Sequence, residues 1–368
     1  MLFHFQESTI KFINTQSVLK LSLFVVFFTL FFAFPPYSSP IDNSTWDAVF
    51  MQIKHPFQTI DAPAYSHTSK LTFRLFPVLL GYVFGLSKNG FIVFLHAIGF
   101  CIIYLSMIYF NKILKDKFKS LLLSFSLGCI YFGKVSFVEF RGIFDGIALL
   151  LLIIPLLYRN YVLTFCTILC ASWTDERALI ASSLIFISFL FEFFYSNIEK
   201  KKIKYQLIAI LISWITYFIL RFFIANVFHL KTSTGGISLE ILALNFEYFP
   251  LSFWGAFEGF WFLILFYLFT IWKTNKLLSI GMYLSIFLLI IASYLVIDVT
   301  RSLAFLGVLI FIATKFLSVY KKEIFSYRYC QIIFLTSFLY PAYIVAGDQI
   351  VWIKPVVLEY IFRLFTNA

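Results

Sequence analysis

Apolar runs of roughly bilayer length recur along most of the chain, separated by short polar connections. Their pattern predicts about eleven membrane-spanning helices, near 19–34, 90–110, 119–133, 142–157, 161–173, 177–195, 205–228, 250–272, 277–296, 302–319 and 329–346. A bilayer core asks for about 20 apolar residues per helix, within a range of ~17–25. Backbone groups in lipid are satisfied only within a helix or a closed barrel, and barrel strands alternate in polarity every second residue. Runs such as IALLLLIIPLL, from Ile147 to Leu157, do not alternate. The predicted fold class is therefore an all-α polytopic membrane protein, a single integral domain over 1–368. Two further apolar stretches, 73–87 and 355–366, are too short or too interrupted to cross and read as interfacial or re-entrant segments.

Composition agrees with this reading: 61% of the 368 residues are hydrophobic and only 13% are charged, with a mean hydropathy of +0.91. The first apolar run ends in Phe-Pro-Pro without a small-residue cleavage site, so it reads as an uncleaved span. All five cysteines fall within apolar runs, and Cys166 and Cys170 have no His or acid beside them. They read as packing residues, not a disulfide framework.

The net charge of +11 would suit nucleic acid if it formed one patch. It does not. The basic clusters 111–119, 199–204, 273–276 and 321–328 fall on one side of the membrane when 73–87 does not cross. Lysine and arginine mark the cytoplasmic side. The amino terminus is thereby placed in the cytoplasm of an inner, plasma-membrane protein, and most acids fall outside. The excess is a topology signal, and no nucleic-acid partner is expected.

On the outer side the first connection, 35–89, is the longest polar stretch near the start. It carries Asp42, Asp47, Asp61, His55 and His67, with the interfacial 73–87 at its end. A carboxylate at a cavity rim can serve as general base for an acceptor hydroxyl, although a solvated loop has the same composition. The two histidines lack metal-site spacing, whereas the carboxylates suit a divalent cation, since hard ions take oxygen ligands. Three further outer segments are charged: GKVSFVEFRGIFDG, with Lys134, Glu139, Arg141 and Asp145; SWTDERAL, with Asp175, Glu176 and Arg177; and IDVTRSLAF, with Asp298 and Arg301. Arginine forks onto phosphate through paired donors. Arg141 with Asp145, and Arg301 with Asp298, are also spaced to pair with one another on a helix. The outer connection 229–249 turns aromatic towards its end and suits an interfacial helix, with Glu247 and Glu258 nearby. Charges at membrane depth are costly and usually face a cavity or a partner, so several such tips on one face predict a shared polar cavity. The inner halves of the spans are nearly uncharged, Glu192 being the exception. That asymmetry favours an enzyme over a transporter or flippase.

A first span, a long acidic outer loop and then an interfacial helix opening Arg-x-x-Pro (Arg74 to Pro77 in FRLFPVLLGYVFGL) resembles the GT-C superfamily of membrane glycosyltransferases. FRGIFDGIALLL, TDERAL and DVTRSLAF extend the resemblance over roughly residues 24–316. It implies transfer of a sugar from a polyprenyl-linked donor to a glycan, lipid or protein acceptor on the outer face. It also implies an acid early in the first outer loop as base, which by position is Asp47 or Asp42, with Asp61 as support. Arg74, Arg141, Asp145, Asp175, Glu176, Arg177, Asp298 and Arg301 would then line the substrate site, with the donor phosphate falling to Arg141, Arg177 or Arg301, Arg301 first among them. A polymerase joining lipid-linked repeat units would need a similar cavity.

Overall fold

The computed structural model describes residues 2–32, 43–60, 68–138, 142–195, 199–231, 239–340, 343–346 and 349–352. The chain starts with α1 (Leu2–Thr15) and turns by 114° into the apolar α2 (Val18–Phe32). Of the first polar stretch, α3 (Asn43–Lys54), a 3-10 turn at Thr68–Phe73 and α4 (Leu75–Phe84) are described. At about 1.5 Å per residue the ten-residue α4 reaches only ~15 Å, half a bilayer core. Next come α5 (Lys88–Leu114), α6 (Lys117–Cys129), α7 (Tyr131–Val138), α8 (Asp145–Leu157), α9 (Tyr161–Thr174), α10 (Arg177–Tyr195) and α11 (Lys200–Val227). The second half holds α12 (Leu239–Glu247), α13 (Phe249–Phe257), α14 (Phe260–Thr274) and α15 (Lys276–Tyr294). After these, α16 (Val299–Leu303) continues through a 3-10 turn into α17 (Val308–Tyr320), and α18 (Tyr327–Leu339) follows.

Polar side chains mark where these helices begin. Ser87 opens α5 by accepting from the Gly90 amide at 3.2 Å. Asp116 accepts from the Phe118 and Lys119 amides to start α6. Asn160, Asn275 and Ser326 do the same for α9, α15 and α18. Each satisfies amides that the first helical turn leaves without a partner.

Five described helices have the length and composition of a membrane span: α5, α10, α11, α15 and the α16–α17 rod. The number rises to eight if α1–α2, α6–α7 (bent by 55°) and α13–α14 (bent by 92°) each count as one. By length and composition the described helices do not reach the expected eleven, because several apolar runs form short helices. The 13 residues of α8 and 14 of α9 span only ~20 Å. α8 can be short because it is buried nearly all round, by protein rather than by lipid. The same contrast separates the α16–α17 rod, 78% of whose apolar window is buried, from α11 at 28%. α11 presents Phe218, Ile219, Phe222 and Phe223 outward, as a lipid-facing helix does.

The carboxy-terminal part adds one short strand pair to the otherwise all-helical fold. The span expected at 329–346 stops with α18 at Leu339, and the chain forms an antiparallel hairpin of β1 (Tyr343–Ala346) and β2 (Gln349–Trp352). YIVA and QIVW flank Gly347-Asp348, and β-branched runs around such a pair favour a two-residue hairpin over helix. The hairpin docks on α16 through the Val345 amide, which donates to Thr300 Oγ1 at 3.0 Å. The stretch 355–366 lies outside the described residues.

Candidate functional site

Three central helices carry the charges singled out in the sequence at the same end. Asp145 opens α8, Arg177 opens α10 and Arg301 lies in α16. Asp145 Oδ2 lies 3.3 Å from Arg177 Nη2 and 3.0 Å from Arg301 Nε. Arg301 Nη1 reaches Asp298 Oδ2 at 2.9 Å. Asp175, between α9 and α10, accepts from Arg177 Nε and Nη2, each at 2.7 Å, and from the Arg177 amide at 3.0 Å. Arg74, at the start of α4, pairs with the same carboxylate at 2.7 Å. Arg177 also donates to Ser302 Oγ and lies over the Phe305 ring.

Three guanidiniums and three carboxylates thus form one neutral network, buried apart from the partly accessible Asp298. Burial alone would raise the Asp175 carboxyl, but the Arg177 and Arg74 charges and the Arg177 hydrogen bonds outweigh it and hold the group far below the usual carboxylate range. Removing one member of such a network leaves a charge buried without compensation.

Above this network sits a cap built from the first polar stretch. Trp46 packs against Phe50, Phe91 and Phe144, fixing α3 over the start of α8. Gly142, at φ +73°, lets that connection pass close to α3: an added Cβ would meet Thr45 and Val49. Gln52 Nε2 donates to the Leu71 and Thr72 carbonyls, tying α3 to the turn before Arg74. Phe57 stacks on Phe228 at the end of α11. Asp47 is on the exposed face of α3, between buried Trp46 and Ala48, and takes no part in the ion pairs described above.

Glu176 points elsewhere. It accepts from Arg221 Nη1 at 3.1 Å, and Arg221 also donates to the Tyr217 hydroxyl at 2.6 Å and covers the Phe73 ring. A cavity of about 320 Å³ opens beside Arg221, walled by Phe73, Phe218, Phe222 and Leu230. Arg221 was not legible as a site residue, because a lone arginine near the end of an apolar run reads as an interfacial anchor.

A second charged cluster occupies the opposite ends of the same three helices. Glu192 of α10 accepts from Arg159, which follows α8, and from Lys315 of α17. The spacings 145 to 159, 177 to 192 and 301 to 315 are 14, 15 and 14 residues. On α10 the two charges are about four turns, ~22 Å, apart; Arg159 lies just past the end of α8, and a 3-10 turn separates Arg301 from Lys315. This corrects the expectation that polarity is confined to one end. Glu192 looked isolated because its partners lie 33 and 123 residues away in sequence.

Lys134 and Glu258 are both buried. Lys134 Nζ donates to the Cys129 carbonyl at 2.8 Å, and Glu258 occupies the 92° break at φ +46°. Glu247 is exposed.

Asp42, Asp61, His67, Glu139 and Arg141 lie outside the described residues. The pairing foreseen between Arg141 and Asp145 is therefore not visible, whereas that between Asp298 and Arg301 is present. Among the described residues no three His, Cys, Asp or Glu side chains converge to hold a metal ion. No family model, characterised protein or solved structure matches the chain. Fold and site together define a helical protein with several apolar helices of membrane-span character.

Proposed function

We propose that the chain is a GT-C-like membrane glycosyltransferase that moves a sugar from a polyprenyl-linked donor to an acceptor hydroxyl on the outer face. The observation that carries this reading is the arrangement at the Asp145 end. An exposed carboxylate, Asp47, is held on a packed cap, and the partly exposed Arg221, on a lipid-facing helix, borders a cavity walled by phenylalanines and Leu230. In the proposed step the acceptor oxygen bonds to the sugar's anomeric carbon while the bond from that carbon to the donor phosphate oxygen breaks. Asp47 takes the acceptor's proton, and the polyprenyl phosphate leaves with the bonding pair. Arg221 suits the phosphate better than Arg177 or Arg301: its one carboxylate partner, Glu176, is exposed, whereas theirs include the buried Asp145 and Asp175. The neutral network of Arg74, Asp145, Asp175, Arg177, Asp298 and Arg301 then acts as a rigid floor that fixes the helix ends beneath the cap.

A polymerase of lipid-linked repeat units fits the same site and differs only in its acceptor. Polarity at both ends of the central helices favours one further reading, a lipid or glycan transporter. Purified protein in liposomes, supplied with polyprenyl-phosphate-linked sugars and candidate acceptors, separates these. Transfer predicts a covalent glycoside and released polyprenyl phosphate, and repeated addition marks the polymerase. Movement of labelled lipid across the bilayer with no covalent product would overturn the proposal.

A further inference from the structure

The cluster at the lysine-rich end has a use of its own. Arg159 and Lys315 share one carboxylate, Glu192, and Lys112 donates to the nearby Leu157 carbonyl at 3.4 Å. One positive charge is left over between Arg159, Lys315 and Glu192. The side chains of Arg159, Glu192 and Lys315 are 24%, 18% and 30% exposed, so an arriving anion can reach them. Arg159 is oriented by Gln206 Oε1 at 3.2 Å and by the Phe189 ring beneath it. Gln206 is itself fixed by the Tyr158 carbonyl and Thr164 Oγ1.

A cavity of about 370 Å³ opens directly onto Glu192 and Lys315. Its walls, between α10, α14 and α17, are largely aromatic: Tyr195, Tyr267, Phe316 and Tyr320. Ligand clefts run from ~300 to 1,000 Å³ and combine an apolar body with a few polar groups. Here the charged groups on the wall are Glu192 and Lys315, and Arg159 pairs with Glu192 from outside the lining, so the three together carry one net positive charge. That division fits an amphiphile with an anionic head, and guanidinium suits a phosphate through its paired donors. The cytoplasmic leaflet, where the lysine bias places this end, is the one rich in anionic lipid.

We propose that this cavity binds an anionic phospholipid of the cytoplasmic leaflet. The phosphate takes donors from Arg159 and Lys315, and part of an aliphatic chain lies along the aromatic wall. The site is separate from the one at the Asp145 end and does not depend on sugar transfer there.

The test uses the full-length protein in detergent micelles, with bound lipid counted by native mass spectrometry during titration. The probes are dioctanoyl phosphatidylglycerol, dioctanoyl phosphatidylcholine and inorganic phosphate. The anionic lipid is expected to bind at least about tenfold more tightly than the zwitterionic one, and inorganic phosphate not to compete at equal concentration. Arg159→Met combined with Lys315→Met should remove that preference. Glu192→Gln, which frees both cations, should strengthen it. Ser188→Phe, which fills the cavity and leaves the charges in place, should weaken both lipids and provides a second handle should the double variant not fold. Equal retention of the two lipids by the wild-type protein, competition by inorganic phosphate, or an unchanged preference in both Arg159→Met/Lys315→Met and Ser188→Phe would overturn the proposal.

Discussion

Asp145 and Asp298 both pair with Arg301, yet their surroundings differ. Asp145 is buried and faces two guanidiniums, whereas the Asp298 side chain is 32% exposed. Breaking a buried pair costs about 3–5 kcal/mol, and an accessible one about 0–1 kcal/mol. Asp145→Ala should therefore lower thermal stability in detergent sharply and Asp298→Ala only slightly; equal losses would contradict the network. Asp175 adds a pH signature. Its folded carboxyl binds a proton more weakly than the unfolded side chain, whose pKa is ~3.9. Its stabilising contribution is therefore whole above about pH 4 and falls away as the pH drops below that. The stability gap between wild type and Asp175→Asn should be widest near neutrality and narrow in acid, a trend that unfolding scans from pH 7 to pH 3 would measure.

Helices were the most legible elements, because apolar runs and their polar starts are local signals. Ser87, Asn160 and Asn275 stand next to the helices they open. Breaks inside a run were not legible. FPLSFWGAFEGFWFLILF reads as one span, yet the chain turns by 92° at Glu258–Gly259. The α6–α7 break depends on contact that local sequence does not announce: a Cβ on Gly133 would lie 2.1 Å from the Leu127 carbonyl oxygen. Gly85 is the opposite case, with open space around it but φ +57°. Gly133→Ala should cost roughly 1–3 kcal/mol or more through overpacking of backbone. Gly85→Ala should cost about 1–2 kcal/mol from its left-handed backbone alone. Unfolding of the two variants under one condition checks the order, and a Gly133→Ala protein as stable as wild type would contradict the packed break.

For the whole molecule, the lysine bias assigns opposite sides to the two charged ends. In a cysteine-free background, Gln58→Cys should react with a membrane-impermeant maleimide in intact cells, and Lys201→Cys only after permeabilisation. The reverse pattern would invert the topology. The Asp145-end residues were individually visible in the sequence because charges interrupt apolar runs. Their convergence was not, since Arg74, Asp145, Asp175 and Arg301 come from four distant segments. The opposite cluster escaped notice for the same reason.

The central claim, sugar transfer with Asp47 as base, is tested most directly at Asp47 itself. Its side chain is exposed and outside the ion pairs of the buried network, so Asp47→Asn should fold and melt like wild type. Transfer from a polyprenyl-linked sugar, measured at matched expression, should fall by roughly 10²–10⁴, the usual contribution of a general base. Wild-type transfer by Asp47→Asn would contradict the assignment.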